Sequence, residues 1–319
     1  MEAERRLSVF LTGGTGFVGG YVARRLVERG HQVRALVREP ATAGRLRGLR
    51  GLRDLGIDLV RGDVTQEKAL GDAVAGCETA IHLVGIIREK PPSVTFEKVH
   101  TLGTMRVVEA ARQAQVRKFV HMSALGARPE GTAYQRTKFE AEEVVRRSDI
   151  THVIFRPSII VGPNGEFVDL LLRVLRMSPV TPVIGDGRYR LQPVDVEDVA
   201  AAFVQAAERD DVEDECFEIG GPHKLTYNRM LEIVCEEFGL RRLRFHVPVS
   251  LVKPLVNLAS NWRLPTPVTS DELAMLFEES IVPGDKNVLR EVFGLEPNSL
   301  RSVLQRFPRA RRRRRHAGA

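Results

Sequence analysis

The sequence predicts an α/β fold: a doubly wound parallel sheet with helices on both faces, followed by a smaller C-terminal α/β lobe. In the first 160 residues, short runs rich in β-branched residues alternate with amphipathic stretches, which is the pattern of parallel strands joined by crossover helices. Several of these runs are apolar almost throughout, as strands covered on both faces must be. After about residue 160, frequent prolines divide the chain into shorter segments and indicate a separate lobe.

The individual elements follow from local patterns of apolar and turn-forming residues. Strands are predicted at residues 7–13, 32–37, 57–63, 78–85, 117–124 and 152–160. Helices are predicted at 17–29, 66–75, 93–114, 133–147, 197–208 and 226–238, with a further strand at 216–221. Gly30 is placed to end the first helix in a left-handed conformation. The glycines of residues 41–56 weaken any helix there.

The chain of 319 residues is long enough for a large domain with a smaller companion. We expect residues 1–180, including the strand at 152–160, to form the sheet domain. Residues 181–305 would form the smaller lobe and residues 306–319 a disordered, arginine-rich tail. That tail holds seven of the 48 Lys+Arg, and the remaining 41 balance the 41 Asp+Glu, so the net charge of +7 belongs to the tail. We favour a solvated end, with contact to anionic lipid or, less favoured, to nucleic acid as the alternatives.

Composition indicates a cytoplasmic protein, with peripheral contact at the inner face of a membrane as the alternative. No apolar run reaches the roughly 18 residues that span a bilayer, and the charged N-terminus is unlike a secretory signal. Cys77, Cys216 and Cys235 are scattered and are interpreted as reduced thiols. The eight histidines lack metal-ligand spacing, so no metal site is predicted. We expect His82 and His121, on interior strands, to be hydrogen-bonded core residues.

A glycine-rich loop, "LTGGTGFVGG", follows the first strand and opens the first helix. It reads as Gly14-x-Gly16-x-x-Gly19 or as Gly13-x-x-Gly16-x-x-Gly19. In either reading one glycine turns sharply, one lets backbone amides approach a pyrophosphate, and the last lets helix and strand pack closely. The phosphates would lie at the positive end of the helix. Strand, loop and helix together predict a dinucleotide site that also includes Thr15, Phe17 and Val18.

The end of the second strand selects the dinucleotide, because an acid there would accept from a ribose hydroxyl and an arginine would hold a 2′-phosphate. Arg38 follows Val37, and its planar guanidinium suits a phosphate dianion. Arg34 and Arg45 are candidates to assist it. We favour NADP(H), whereas Glu39 as a ribose ligand would restore NAD(H).

Further cofactor contacts are predicted where other strands end, since these ends meet at one edge of a parallel sheet. Asp63 is placed to accept from the adenine amino group, Gly85 leaves room for the adenosine ribose, and Pro157 would lie beside the nicotinamide. The adjoining cofactor-contact residues are Val64, Leu83 and Val84.

"AYQRTKFEAEE" places Tyr134 and Lys138 four residues apart, on one face of a predicted helix. A lysine ammonium and an oxidised nicotinamide would lower the tyrosine pKa from its usual value of about 10, so that the hydroxyl could act as acid or base. Lys138 could also hold the nicotinamide ribose. Ser123, after the fifth strand, is predicted to orient the substrate oxygen. The alternative is a surface helix whose aromatic residue merely packs.

Together these residues resemble the short-chain dehydrogenase/reductase superfamily, in its extended and atypical branches. The motifs that carry the resemblance occur in that superfamily's order: "TGGTGFVGG", "GDV", "HLVG", "GTMRVVEAAR", "KFVHMSALGA", "YQRTK", "FRPSIIVGP" and "QPVDVEDVAAAF". The resemblance covers residues 7 to about 305 and implies a Rossmann fold, an NAD(P) cofactor and a Ser/Tyr/Lys site at Ser123, Tyr134 and Lys138. Two features depart from it: only ten residues separate Ser123 from Tyr134, and His100 stands where many members have Asn.

Within that superfamily, the chain is most similar to the NDUFA9-like group, relatives of the 39 kDa accessory subunit of respiratory complex I. Residues 266–307 and the stretch around Tyr134 carry this likeness. It implies tightly held NADP(H) and a link to quinone or respiratory-complex function. The resulting hypotheses are an oxidoreductase acting on a quinone-, sterol- or sugar-like substrate, a non-catalytic NAD(P)H-binding accessory, assembly or redox-sensing module, and a nucleotide-sugar epimerase or dehydratase. The protein would be a monomer or a homodimer.

Overall fold

The computed structural model describes residues 6–38, 43–66, 69–252 and 278–308. The strands are β1 Ser8–Thr12, β2 Gln32–Val37, β3 Asp58–Arg61, β4 Thr79–His82, β5 Lys118–Met122, β6 Thr151–Pro157, β7 Ile160–Val161, β8 Val180–Ile184, β9 Arg190–Leu191, β10 Val194–Asp195, β11 Glu215–Ile219, β12 Leu225–Thr226 and β13 Leu243–Val247. The helices are α1 Phe17–Glu28, α2 Ala43–Asp54, α3 Leu70–Val74, α4 Leu102–Gln113, α5 Ala133–Arg146, α6 Glu166–Met177, α7 Val196–Glu208, α8 Tyr227–Phe238, α9 Val288–Glu291 and α10 Leu300–Gln305. A π-helical turn, Glu97–Thr101, precedes α4.

The chain divides into two compact units. Unit 1 comprises Met1–Pro157, Val196–Ile219 and Val288–Leu295, and unit 2 comprises Ser158–Asp195, Gly220–Asn287 and Glu296–Ala319. This differs from the predicted single boundary at residue 180, because α7 and β11 return to the sheet of unit 1. β11 pairs in parallel with β6, with Glu215 opposite Val153.

Unit 1 is built on a seven-stranded parallel sheet in the order β11-β6-β5-β4-β1-β2-β3. The order reverses between β1 and β4, which is the point where doubly wound sheets bind their ligands, outside the carboxyl ends of the strands. The predicted fold class is therefore confirmed. Val9, Phe10 and Leu11 of β1 are fully buried, as in a strand covered on both faces.

Helices α1, α2 and α7 pack together, while α3, α4 and α5 pack around a buried cluster that includes Phe10, Phe119 and Ile154. Gly30 ends α1 with φ +80°, as predicted. The low expectation of a helix in residues 41–56 was wrong, since α2 occupies Ala43–Asp54. Packing explains the difference: a Cβ on Gly48 would lie 2.3 Å from the Thr15 carbonyl oxygen, so glycine lets α2 lie directly against the glycine loop.

Among its described residues, unit 2 contains three two-stranded sheets, formed by β7 with β10, β9 with β12 and β8 with β13. Its core joins apolar residues of α6, α8 and α10, such as Leu172, Val234 and Leu304. Thr226 caps α8 by accepting from the Arg229 amide at 3.2 Å. Gly239 ends α8 in a left-handed conformation. In the described part of the chain, no helix combines the length and apolarity needed to cross a membrane.

Candidate functional site

The glycine loop lies where β1 ends, at the reversal of strand order. Gly13 has φ +78°, and a Cβ there would lie 3.0 Å from the carbonyl carbon of Leu83, the residue after β4. The Gly16 amide donates to the Gly13 carbonyl at 2.9 Å, and this turn holds the Gly13 backbone in place. A side chain at Gly13 would therefore meet both strain and a steric clash.

Gly19 lets α1 pack onto the loop. A Cβ at this position would lie 2.1 Å from the Gly13 carbonyl oxygen and 2.7 Å from the Gly14 Cα. The neighbouring Gly20 has no atom within 4 Å of the equivalent point. Of these two helical glycines, only Gly19 is required by close packing.

The first turn of α1 is open to an anion. Gly16 is the residue that begins the helix; no described side chain caps it, and the first turn carries no acid. The amides of such a turn have no partner within the helix and lie at its positive end. A diphosphate fits this cradle, because it would supply the missing acceptors without meeting a negative side chain. The predicted contacts Thr15, Phe17 and Val18 all belong to this segment.

The ends of β2 and β3 bring Arg38 and Asp63 together. An Arg38 guanidinium nitrogen lies 3.3 Å from an Asp63 carboxylate oxygen. The other Asp63 oxygen accepts from the Thr65 amide and hydroxyl, both at 2.9 Å. Burial alone would raise the pKa of Asp63, but the Thr65 hydrogen bonds and the Arg38 charge outweigh it and lower that pKa. The Arg38 cation and the ionised Asp63 carboxylate thus lie where the adenosine part of the cofactor is predicted to bind.

Arg34, one of the two residues proposed to assist Arg38, is engaged elsewhere. Arg34 donates to Asp58 at 2.7 Å and to the Ala75 carbonyl at 2.8 Å, so its guanidinium is already used. Glu39 and the Arg45 side chain lie outside the described residues.

The loop after β4 carries Leu83, Val84 and Gly85. The Leu83 amide donates to the Thr12 carbonyl at 3.2 Å, which holds the loop beside the end of β1. Leu83 and Val64 are buried, and Val84 packs against the core cluster. Pro157 is buried at the end of β6. These predicted cofactor contacts thus belong to unit 1 and lie at the carboxyl ends of its strands.

Tyr134 and Lys138 lie one turn apart near the start of α5. Thr132 begins this helix with a capping box, in which it accepts from the Gln135 amide at 3.4 Å and the Gln135 side chain accepts from the Thr132 amide at 2.8 Å. Lys138 is buried, and its ammonium donates to the Met122 carbonyl at the end of β5. Burial lowers the pKa of Lys138 to about 8, although the charge of Glu142 opposes this.

The partly buried Tyr134 ring contacts two other aromatic rings. It packs edge-on to Phe96 and His100, with ring centres 5.6 and 5.4 Å apart. Burial raises the pKa of Tyr134 to about 12, opposite to the predicted lowering. The protein surroundings alone therefore keep the phenol protonated.

His100 bridges the β4 loop and α5. Its Nε2 accepts from the Ile86 amide at 3.1 Å, which leaves Nδ1 as the donor to the Thr137 hydroxyl at 3.0 Å. Burial and the nearby Lys138 charge lower the pKa of His100 to about 3, so the ring is neutral. The sequence marked His100 only because many members of the resembled superfamily have Asn at this position, and its bridging role was not predicted.

Ser123, predicted to orient the substrate oxygen, hydrogen-bonds to a carboxylate in the described structure. Its hydroxyl donates to Glu142, a fully buried carboxylate that also accepts from Arg156 at 2.7 and 2.8 Å and from Arg146 at 2.7 Å. The β5–β6 hydrogen bonding explains this, because the Ser123 amide donates to the Phe155 carbonyl at 2.7 Å and fixes the backbone there. Ser123 thus belongs to a buried ionic cluster, and its hydroxyl hydrogen is taken by Glu142.

The two core histidines have different surroundings. The hydrogen bonding predicted for His82 is confirmed: its ring lies 2.6 Å from the Thr12 hydroxyl and 3.1 Å from that of Thr104. The prediction for His121 was wrong, because neither of its ring nitrogens has a hydrogen-bond partner within the four described ranges. His121 instead stacks on His82, with ring centres 5.4 Å apart. Burial lowers the pKa of His121 well below its usual value, so it is neutral.

The strand order, the glycine loop at the reversal point and the uncapped start of α1 define an NAD(P)-binding protein of the Rossmann class. Comparison with known families agrees and is more specific. Residues 9–220 match the model of the "NAD dependent epimerase/dehydratase family", and the chain belongs to this family. The resemblance to extended short-chain dehydrogenases/reductases is confirmed, as is that to the NDUFA9-like group, by the relatives described next.

Two curated relatives and one solved structure are similar to this chain. Ceramide reductase of Caulobacter vibrioides is 34% identical over 205 residues, which cover 64% of this chain and 62% of the relative, just under two thirds of its length. The NADH-ubiquinone oxidoreductase 40 kDa subunit of Neurospora crassa is 28% identical over 291 residues, covering 89% of this chain and 74% of the relative. The crystal structure of gox2253 has a TM-score of 0.73 and 24% identity, over 93% of this chain and 95% of its own.

Proposed function

We propose that the protein is an NADP(H)-dependent oxidoreductase that reduces a carbonyl group, with Tyr134 as the proton donor and Lys138 as its electrostatic partner. The observation that carries the proposal is the partly buried Tyr134, packed edge-on against His100 and one helical turn from a buried lysine that is hydrogen-bonded to the end of β5. Family membership supports an NAD(P)-dependent enzyme in general terms.

The cofactor would be held by residues at the carboxyl ends of the strands. The amides of Phe17 and Val18 would bind the diphosphate, and Arg38 would bind the 2′-phosphate. Asp63 is ionised and can accept from the adenine amino group. When bound, the nicotinamide supplies or accepts a hydride. The preference for NADP(H) rests on Arg38, the described cation at the end of β2.

The protonation states favour the direction of reduction. Tyr134, with its pKa raised to about 12, is protonated at neutral pH and can donate a proton to a developing alkoxide. Lys138, with a pKa of about 8, is mostly charged at neutral pH and would stabilise the phenolate that remains. The ring of neutral His100 fixes the position of the tyrosine through its edge-on contact.

The substrate class is inferred from the named relatives. One is called a ceramide reductase and another is a subunit of an NADH-ubiquinone oxidoreductase. We infer an apolar carbonyl substrate, such as a quinone or a long-chain ketone, in preference to a nucleotide sugar. A location in the cytoplasm, at or near the inner face of a membrane, would suit such a substrate.

The test is NADPH oxidation by the purified protein over a panel of quinones, sterol ketones, long-chain ketones and nucleotide sugars. Turnover is expected with one apolar class. Tyr134→Phe should abolish it while NADPH affinity, measured by calorimetry, stays within about threefold. Tyr227→Phe in unit 2 loses the same hydroxyl and serves as the matched control. Equal activity of Tyr134→Phe and wild type would contradict the assigned role.

A non-catalytic NAD(P)H-binding module is the second candidate, and the position of Ser123 favours it. The Ser123 hydroxyl donates its hydrogen to Glu142, which argues against a role in orienting a substrate oxygen. In this case the bound nucleotide would serve assembly or redox sensing, as part of a respiratory assembly like that of the 40 kDa relative. Tight NADPH binding without turnover on any substrate of the panel would support this candidate and exclude the reductase.

A further inference from the structure

The two-stranded sheet of β8 and β13 presents an apolar face to solvent. In the parallel register Leu243 lies opposite Val180, Phe245 opposite Pro182, and Val247 opposite Ile184. Because side chains alternate along a strand, these six share one face. Leu243 is 73% exposed and Phe245 61% exposed. On the other face of β8, Thr181 and Val183 are buried. The sheet is thus apolar on its exposed side, whereas the solvent-facing side of a sheet is usually polar.

The end of α6 extends this apolar surface. The Leu243 amide donates to the Pro179 carbonyl at 3.0 Å, and the Arg242 guanidinium donates to the Leu175 carbonyl. Met177, the last residue of α6, is 80% exposed. We call this surface the α6–β13 patch, formed by Met177, Val180, Pro182, Leu243 and Phe245. Contiguous exposed apolar surfaces of this kind are typical of interaction sites.

The patch is bordered by positive charge. Residues 170–184 and 240–252 contain five arginines, at positions 173, 176, 241, 242 and 244, and no Asp or Glu. Arg244 is paired with Glu232 at 2.8 Å. Arg173 and Arg241 are exposed and form no ion pair with a residue that the structure describes. Arg173 and Arg241 thus carry positive charge next to the patch that no acid of the described residues pairs with.

We propose that the α6–β13 patch docks on an anionic lipid bilayer. Leu243, Phe245 and Met177 would enter the interface while Arg173 and Arg241 contact lipid phosphates, the arrangement that favours binding in the plane of a membrane. Charge selects this occupant over a second copy of the chain, since a two-fold contact would bring the same arginines against each other. The proposal concerns unit 2 and does not depend on catalysis.

The test is cosedimentation of the full-length protein with vesicles of phosphatidylcholine alone or mixed with phosphatidylglycerol. We expect the protein to bind the mixed vesicles. Raising the salt concentration should remove only part of this binding, because the apolar contact is not screened, whereas a purely ionic contact would be lost. Phe245→Glu and Leu243→Glu should each weaken binding about tenfold or more. Met105→Glu makes the same change at an exposed apolar residue of α4, 46% exposed, and should bind like wild type. Arg241→Gln should weaken binding to the anionic vesicles only.

Several results would overturn the proposal. One is the absence of vesicle binding by the wild-type protein. Another is equal binding by Phe245→Glu and Met105→Glu with full loss at high salt, which would assign the contact to the arginine-rich tail predicted at 306–319. A third is a change of oligomeric state in Phe245→Glu with vesicle binding intact, which would make the patch an interface between copies. Circular dichroism establishes that the variants are folded, and Leu243→Glu carries the test if Phe245→Glu is not.

Discussion

Alanine at Gly19 should damage the nucleotide site, whereas alanine at the next residue should not. The Cβ of Gly19→Ala would lie 2.1 Å from the Gly13 carbonyl oxygen and 2.7 Å from the Gly13 carbonyl carbon. Both are backbone atoms of a turn held at φ +78°, so relief requires moving the loop or tilting α1. Gly20→Ala meets no atom within 4 Å and lies in the same helix.

The magnitudes follow from packing and helix propensity. Overpacking costs about 1–3 kcal/mol, and contact with backbone atoms places Gly19→Ala at the upper end. Alanine recovers about 1 kcal/mol over glycine inside a helix, so the net loss is about 2 kcal/mol. Gly20→Ala has only the gain, up to about 1 kcal/mol. The free energy of unfolding should therefore fall for Gly19→Ala and rise for Gly20→Ala, so that the two variants differ by about 3 kcal/mol.

Urea unfolding and calorimetric titration with NADPH test this pair. The denaturation midpoint should fall for Gly19→Ala and rise for Gly20→Ala at unchanged slope. Displacement of the first turn of α1 should also weaken NADPH binding by Gly19→Ala about tenfold or more, with Gly20→Ala near wild type. Equal stability and equal affinity of the two variants would refute the assigned packing of the loop.

Three further predictions concern charged residues. Arg38→Ala should weaken NADPH binding about tenfold or more while NADH affinity changes little, as measured by calorimetry; equal losses for both would remove Arg38 from the 2′-phosphate site. The folded-state pKa of Lys138, about 8, lies below its ordinary 10.5, so only the unfolded chain binds this proton between those values and stability should rise with pH there. Lys138→Met should flatten that rise in unfolding experiments from pH 8 to 10.5, and an unchanged slope would contradict the lowered pKa. Glu142→Gln removes the buried carboxylate shared by Arg156 and Arg146 and leaves Arg156 only its 3.4 Å contact with Glu218, so it should cost about 3 kcal/mol in the free energy of unfolding. Glu143→Gln, at a partly exposed residue, should cost less than about 1 kcal/mol, and similar losses for the two variants would exclude a special role for the buried cluster.

The sheet of unit 1 could be predicted because its strands are buried on both faces and therefore read as apolar runs. The glycine loop was readable for a similar reason, since a turn with positive φ and a close helix contact both require glycine. Elements that depend on packing with distant residues could not be predicted in this way. The helix α2 contradicts local propensity and exists because Gly48 packs on the Thr15 backbone.

Two kinds of feature could not be predicted from the sequence: the direction in which a side chain points, and the pairing of strands that are distant along the chain. The order of Ser123 and Tyr134 along the chain does not show that the serine hydroxyl donates to Glu142. The spacing of four among Tyr134, Lys138 and Glu142 was the available signal, since it places all three on one face of α5. The return of β11 to the sheet, beyond the proline-rich stretch, depends on pairing with β6 that no local pattern encodes.

The central claim is that the first turn of α1 holds the diphosphate of NADP(H), with Arg38 at its adenosine end. A crystal structure of the protein grown with NADPH tests it most directly. The diphosphate should accept from the amides of Phe17 and Val18, with the Arg38 guanidinium on the 2′-phosphate. A diphosphate bound elsewhere on unit 1, or density for NADPH absent from the glycine loop at saturating concentration, would contradict the claim.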